Sequence, residues 1–318
     1  MILSVSRRTD IPAFYSQWFY NRIKEKYLYV RNPVNKKQVS KISLEPQIID
    51  GFVFWTKNPE PMIDNLDLIK EYSYYFQFTL NSYGQDIEVN VPQKKGIIKT
   101  FKKLSDKIGK NKVIWRYDPI IINDKYNIDY HKKYFLYLIK ELSDYTEKCI
   151  ISFVDGYKKC SNTFKKYNIL LADDTAINII SKEFSEIAKS FNIKLESCAE
   201  LYDLAKYGIN HGKCIDPLLF EQITGNVFNF KKDKNQRLEC GCIESIDIGA
   251  YNTCNHECKY CYANNNKDIV LKQIELHYPY SPILIGNISE DDIITEKVNI
   301  KNDKQNDKQN DKNLFSVQ

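Results

Sequence analysis

The chain has 318 residues, 43% of them hydrophobic, and a formal net charge of +5 from 46 Lys and Arg against 41 Asp and Glu. That length allows one large domain or two ordinary ones; no run approaches the ~20 apolar residues that span a bilayer, and the Met1–Arg8 stretch lacks the basic-then-apolar pattern of a secretory leader. A cytoplasmic protein is expected, with its nine cysteines serving as thiols and metal ligands and not as a disulfide framework.

In chain order, Ile2–Ser6 reads as the first strand and ends in Ser6-Arg7-Arg8-Thr9-Asp10. Asp10 can cap a helix opened by Ile11 and Pro12, with Phe14, Trp18, Phe19 and Ile23 on one face. Tyr27–Arg31 and Val39–Ser43 look like a strand pair inserted after this unit. Further strands are expected at Phe52–Thr56, Tyr75–Leu80, Val113–Tyr117, Cys149–Val154 and Ile193–Cys198. Helical stripes fall between several of them: Ile97, Phe101, Leu104 and Ile108; Phe135, Leu138, Ile139 and Leu142; Ile180, Phe184, Ile187 and Phe191. After Glu200 the pattern loosens, until Ser245–Ala250 reads as one more strand, with a helix expected over Val270–Leu276.

Such alternation predicts an α/β protein, a TIM-like (β/α) barrel, complete or partial. One domain is expected over residues 1–286, with a Cys-rich region at 198–264. Residues 287–318, which include Asn-Asp-Lys repeats, are expected as a low-complexity disordered tail.

Barrel enzymes place their chemistry at the C-terminal ends of strands, and here those ends are polar. They supply the catalytic candidates Arg7, Arg8, Asp10, Lys57, Arg116, Asp118, Asp155 and Glu196. Arg7, Arg8 and Lys57 suit a carboxylate or phosphate, since a guanidinium fork matches either anion. Ion pairing with Asp10, Asp118 or Asp155 is the competing role. Alternation along a strand puts Arg116 and Asp118 on one face with Tyr117 opposed, and likewise Glu196 with Cys198. Glu200 and His211 are further candidates for proton transfer.

Cys254, Cys258 and Cys261 stand in a C-x3-C-x2-C loop, with Tyr260 just before the last cysteine and Asn264 three residues after it. Three thiolates so spaced can bind three irons of a cubane cluster and leave the fourth open. A zinc site closed by another Cys or by His256 is the alternative. Cys198, Cys214, Cys240 and Cys242 are numerous enough for a second [4Fe–4S] cluster or a zinc site, or are simply buried thiols. Cys149 and Cys160 read as structural.

The three-cysteine loop resembles that of the radical S-adenosylmethionine (SAM) enzymes. That resemblance implies SAM on the open iron, Tyr260 near its adenine, and Asn264 among the cofactor-binding residues. Unlike those enzymes, this chain carries the loop after the last expected strand and lacks a recognisable Gly-Gly-Glu-Pro segment. The barrel order therefore looks circularly permuted, with Ser245–Ala250 in the place of the first strand.

Together with Ser6-Arg-Arg-Thr-Asp-Ile-Pro12, Phe54-Trp-Thr-Lys-Asn-Pro59, Trp115-Arg-Tyr-Asp-Pro119, Cys198-Ala-Glu200, Cys240-Gly-Cys242 and Ser281-Pro-Ile-Leu-Ile-Gly286, the loop resembles a bacterial family known as domain of unknown function 1848. The loop's resemblance to the radical SAM enzymes implies an iron–sulfur enzyme that cleaves SAM reductively and abstracts hydrogen from a substrate. That substrate would be a small molecule or contain a nucleotide, and the electron donor would be a flavodoxin or ferredoxin. A nucleic-acid-directed activity, suggested by the Lys-rich stretch 94–112, is an alternative. So is a non-catalytic iron–sulfur or zinc protein.

Overall fold

The computed structural model describes residues 1–297. Its strands are β1 (Ile2–Val5), β2 (Tyr27–Arg31), β3 (Gln38–Ser43), β4 (Gly51–Thr56), β5 (Tyr74–Thr79), β6 (Val113–Ile120), β7 (Lys148–Phe153), β8 (Lys194–Ser197), β9 (Asn210–His211), β10 (Ile246–Asp247) and β11 (Ile293–Lys297). The helices are α1 (Ile11–Phe14), α2 (Ser16–Glu25), α3 (Glu60–Ile63), α4 (Lys94–Ile108), α5 (Ile128–Leu142), α6 (Ser161–Lys166), α7 (Asp174–Ser190), α8 (Pro217–Thr224) and α9 (Lys267–Ile274). No helix among the described residues is long and apolar enough to cross a membrane.

Eight strands form one parallel sheet in the order β10-β1-β4-β5-β6-β7-β8-β9. From β1 to β9 the order advances in one direction. With right-handed crossovers, such an order keeps the connecting helices on one face. The two-residue strands β9 and β10 end the ladder and do not pair with each other. Ser245–Ala250, expected as a full strand, pairs only through Ile246 and Asp247.

Alternation gives each sheet face its character. One face carries Leu3, Val5, Phe52, Phe54, Phe76, Phe78, Trp115, Tyr117 and Ile151, packed with the stripes of α2, α4, α5 and α7 in the main core. The other face begins apolar, with Ile2, Val53, Tyr75, Ile114 and Ile150 against Leu219 and Phe220 of α8. Asp216 caps α8 through the Leu218 N–H, Pro217 opens it, and Gly225 ends it in the left-handed region. A Cβ on Gly51 would overlap the Phe220 ring and approach the Ser73 carbonyl oxygen to 2.9 Å, so the close seat of α8 requires glycine. Further along, the same face turns polar through Ser6, Gln77, Thr79, Arg116 and Ser152.

The second sheet has the order β11-β3-β2. β2 and β3 are the expected inserted pair. β11 adds parallel to β3, so residues 293–297 belong to the fold although a disordered tail was expected from 287. All five β11 residues are exposed, which is why no apolar pattern announced the strand. The repeats beyond 297 lie outside the described residues.

Candidate functional site

At the polar ends of the sheet lies a cavity of about 500 Å³. Ser6, Arg7, Arg8, Asp10, Lys57, Arg116, Asp118 and Asp155 line it from the strand ends. Cys254, Cys258, Tyr260 and Cys261 line it from the C-terminal loop, and Cys198, Cys214, Cys240 and Cys242 from the intervening segments. Glu196, His211 and Asn264 lie outside this lining.

The loop reaches the cavity because Asp247 clasps it to β1. Its carboxylate accepts from Ser4 Oγ at 3.0 Å, Ser6 Oγ at 2.5 Å, the Arg7 N–H at 2.7 Å and the Gly249 N–H at 3.0 Å. Gly249 packs so closely that an added Cβ would come within 2.6 Å of the Ser6 Cβ. The Tyr15 hydroxyl donates to the Thr253 carbonyl at 2.6 Å, and the Asn264 amide to the Cys254 carbonyl at 2.6 Å. Asn264 thus braces the loop from behind. Within the loop, Glu257 holds φ at 53°, a left-handed conformation that is uncommon for a non-glycine residue.

The three loop thiols are mutually close, and burial pushes Cys254 and Cys258 upward, Cys258 to about 12. Those two stay protonated until a cation replaces the protons, as in a metal site. A His256 backbone N–H meets the Cys254 sulfur. Together these thiols fit as ligands of a thiophilic metal group. Still, among the described residues no three His, Cys, Asp or Glu side chains converge as ready ligands of one ion. His256 donates or accepts at Nε2 with Asp10 at 2.8 Å, and its buried Nδ1 has no partner.

Asp10 is fully engaged. One oxygen caps α1 at the Ala13 N–H; the other accepts from the Lys57 N–H at 2.7 Å and faces His256. Lys57, expected as an anion binder, is committed to Glu88, with Nζ 2.8 Å from that carboxylate and 2.9 Å from the Tyr260 hydroxyl. Burial alone would lower the Lys57 pKa, but Glu88 and Cys258 hold it up, at about 12. Glu88 also pairs with Lys94 and accepts from Tyr260. Tyr260 is therefore tied by its hydroxyl into a buried network, with Lys57 over its ring at 5.4 Å.

Arg116 and Asp118 share a face, as alternation requires, and Arg116 Nε (2.9 Å) and Nη2 both donate to Asp118 Oδ2, while Ser152 donates to Oδ1. Tyr117 points oppositely, into the helix-facing core. Arg116 also donates to Cys214 Sγ at 2.8 Å. In contrast, Arg7 and Arg8 meet carboxylates only at 3.9 Å, while lying over Trp55 and Tyr251. Asp155 sits at the mouth, paired with Arg237 at 3.1 and 2.5 Å. Glu196 is drawn away by Lys148 at 3.2 Å and Lys194 at 2.5 Å. His211 is exposed on the edge strand β9. Glu200 does line the cavity; burial raises its carboxyl to about 7 while the Phe153 N–H donates to it at 2.8 Å.

Glu88, Trp55 and Arg237 were not anticipated. Asp247 could have been: alternation along Ser245–Ile248 sets it opposite two isoleucines.

The model of one protein family, Domain of unknown function (DUF1848), matches residues 2–263. The chain belongs to this family. No curated protein and no solved structure matches it. The match to DUF1848 spans every strand of the eight-stranded sheet and ends just after the cysteine loop, so the whole cavity falls within it.

Proposed function

We propose that this DUF1848 protein is a radical SAM-type iron–sulfur enzyme. One observation carries the reading: three half-buried cysteines spaced C-x3-C-x2-C open onto the same cavity as an array of charged strand-end residues. A carrier or structural zinc module has no use for such an array. We read the sheet as a circularly permuted barrel in which β10 takes the place of the first strand and the cysteine loop follows it in the usual way.

Cys254, Cys258 and Cys261 would each hold one iron of a [4Fe–4S] cluster, which with SAM supplies a 5′-deoxyadenosyl radical for hydrogen abstraction. The residues of the chain do the rest. Arg7 and Arg8, with donors not saturated by Asp247, would bind the carboxylate of SAM or an anionic substrate. Trp55 and Tyr262 offer aromatic surface in the cavity wall, whereas Tyr260 stiffens the loop through Glu88. Glu200, poised near neutrality, would exchange a proton with substrate. Four of the six lysines of α4 are engaged, which disfavours a nucleic-acid substrate: Lys94, Lys102, Lys103 and Lys107 are paired with Glu88, Glu141, Glu60 and Asp67.

The test is anaerobic reconstitution with iron and sulfide, followed by dithionite and SAM, with 5′-deoxyadenosine measured by mass. Production of that nucleoside, abolished by Cys258→Ala, is the expected result. Protein whose loop is loaded, shown by iron that Cys258→Ala removes, yet that yields no such nucleoside overturns the proposal.

A further inference from the structure

Four of the six cysteines outside the C-x3-C-x2-C loop come from three separate stretches. Cys198 follows β8, Cys214 follows β9, and Cys240 and Cys242 precede β10. Their sulfurs nevertheless meet. Cys198 and Cys214 touch at 3.2 Å, Cys214 contacts Cys242, and Cys242 contacts Cys240. They form a chain of pairwise contacts that a shared metal would draw together, although among the described residues no three such side chains already converge on one point.

The second observation is what surrounds them. Each sulfur faces an N–H donor. Arg116 donates to Cys214 at 2.8 Å and also reaches Cys198. The Ile215 N–H donates to Cys242 at 3.4 Å, and the Cys242 N–H meets Cys240. Cys160 is arranged the other way round, with its S–H directed at the Cys261 carbonyl oxygen. Four sulfurs that receive N–H bonds and also contact one another are placed as the ligand sulfurs of a metal site are. Ionised together they would repel, and one guanidinium already shared with Asp118 would not neutralise them. A soft metal does, since thiolate ligands select zinc and iron–sulfur centres.

We infer that Cys198, Cys214, Cys240 and Cys242 form a second, thiolate-bound metal centre, at the apolar floor of the cavity and distinct from the Cys254–Cys261 loop. With four protein ligands this centre is closed. Arg116 hydrogen bonds its sulfurs from the cavity side, as outer-shell donors do around metal sites. The inference does not depend on SAM chemistry at the loop.

Metal content of anaerobically purified protein tests it, with iron and zinc counted per chain for three proteins. These are the wild type, the loop variant Cys254→Ala/Cys258→Ala/Cys261→Ala, and the floor variant Cys198→Ala/Cys240→Ala. The loop variant should keep about four irons, one cubane, or about one zinc in a Cys₄ site. The floor variant should lose that same share and keep the loop's metal. Either metal in the loop variant supports the centre and identifies its kind.

A loop variant with native circular dichroism that holds less than about a tenth of an equivalent of either metal overturns the inference. A Cys198–Cys214 disulfide in anaerobically purified wild-type protein would do the same. Should the loop variant not fold, X-ray absorption of the wild type decides: an unchanged metal–sulfur signal in the floor variant overturns the centre. Failure of the radical SAM reading would appear separately, as a loop variant whose metal content equals that of the wild type.

Discussion

Replacing Glu88 by Gln would leave two ammonium groups, Lys57 and Lys94, facing a neutral amide inside the fold. Removing one partner of a buried ion pair typically costs about 3–5 kcal/mol. Glu88→Gln is therefore expected to lower the urea midpoint by that equivalent, and Glu88→Gln/Lys57→Met to recover part of the loss. Equal midpoints for the two variants would show that charge compensation is not what Glu88 contributes.

His131 gives a pH signature at the same scale. It is fully buried, 2.8 Å from the Tyr117 hydroxyl through Nδ1 and 2.8 Å from the Ile121 carbonyl through Nε2. Burial lowers its pKa to about 4. A lowered base pKa means the unfolded chain binds the proton better. The stabilisation from neutral His131 is thus complete above about pH 6.5 and is lost as pH falls through about 4, roughly 3 kcal/mol in all. Urea titrations from pH 7 to 4 should show a shallower loss in His131→Gln than in wild type, and parallel slopes would refute this origin.

Among the elements, the seat of α8 makes the sharpest prediction. Gly51→Ala drives a methyl into the Phe220 ring, and overpacking of this kind costs about 1–3 kcal/mol. A second change, Phe220→Leu, should relieve part of that cost in a urea melt. A Gly51→Ala variant as stable as wild type would mean that α8 moves away freely. This helix also marks a limit of the sequence reading. The six strands that the first two hundred residues give to the eight-stranded sheet were legible as short apolar runs, and the four amphipathic stripes by their helical period. α8 was not, since its apolar residues face the inside of the sheet, even though the Asp216-Pro217 start and Gly225 stop were present.

β9 is two residues long and flanked by glycines, so no period could announce it, whereas β10 was expected within Ser245–Ala250 and only its length differs. At the site, the cysteine spacing and the polar strand ends were readable, and they do share one cavity. The Lys57–Glu88 pairing was not, because Glu88 sits in an aperiodic segment between β5 and α4. Glu196 was expected at the mouth by alternation alone, which carries no information about the two lysines that hold it elsewhere.

For the whole molecule, the C-terminal fifth of the described chain is part of the first strand's support. β10 pairs with β1, and Asp247 takes hydrogen bonds from Ser4, Ser6 and Arg7. Beyond the cysteine loop, the Trp18 indole donates to Ser281 at 2.9 Å, Arg22 to Tyr280 at 3.0 Å and Asn21 to Pro279 at 2.9 Å, so α2 is held by the far end of the chain. A chain that stops at Glu244 would bare the β1 edge and leave these buried donors without acceptors, each costing about 1–3 kcal/mol. Such losses add up to the whole stability of an ordinary domain, about 5–15 kcal/mol.

Residues 1–244 alone should therefore show no cooperative thermal transition. Co-expression with residues 245–297 as a separate chain should restore one, since the contacts between the two pieces are extensive and need no covalent link at the cut. Circular dichroism melts and co-purification on a tag carried by the smaller piece read both outcomes. A fragment 1–244 that melts cooperatively at the wild-type midpoint would show that β10 and the cysteine loop are appended to an already complete sheet, and would remove the physical basis for the proposal that the sheet is a permuted barrel.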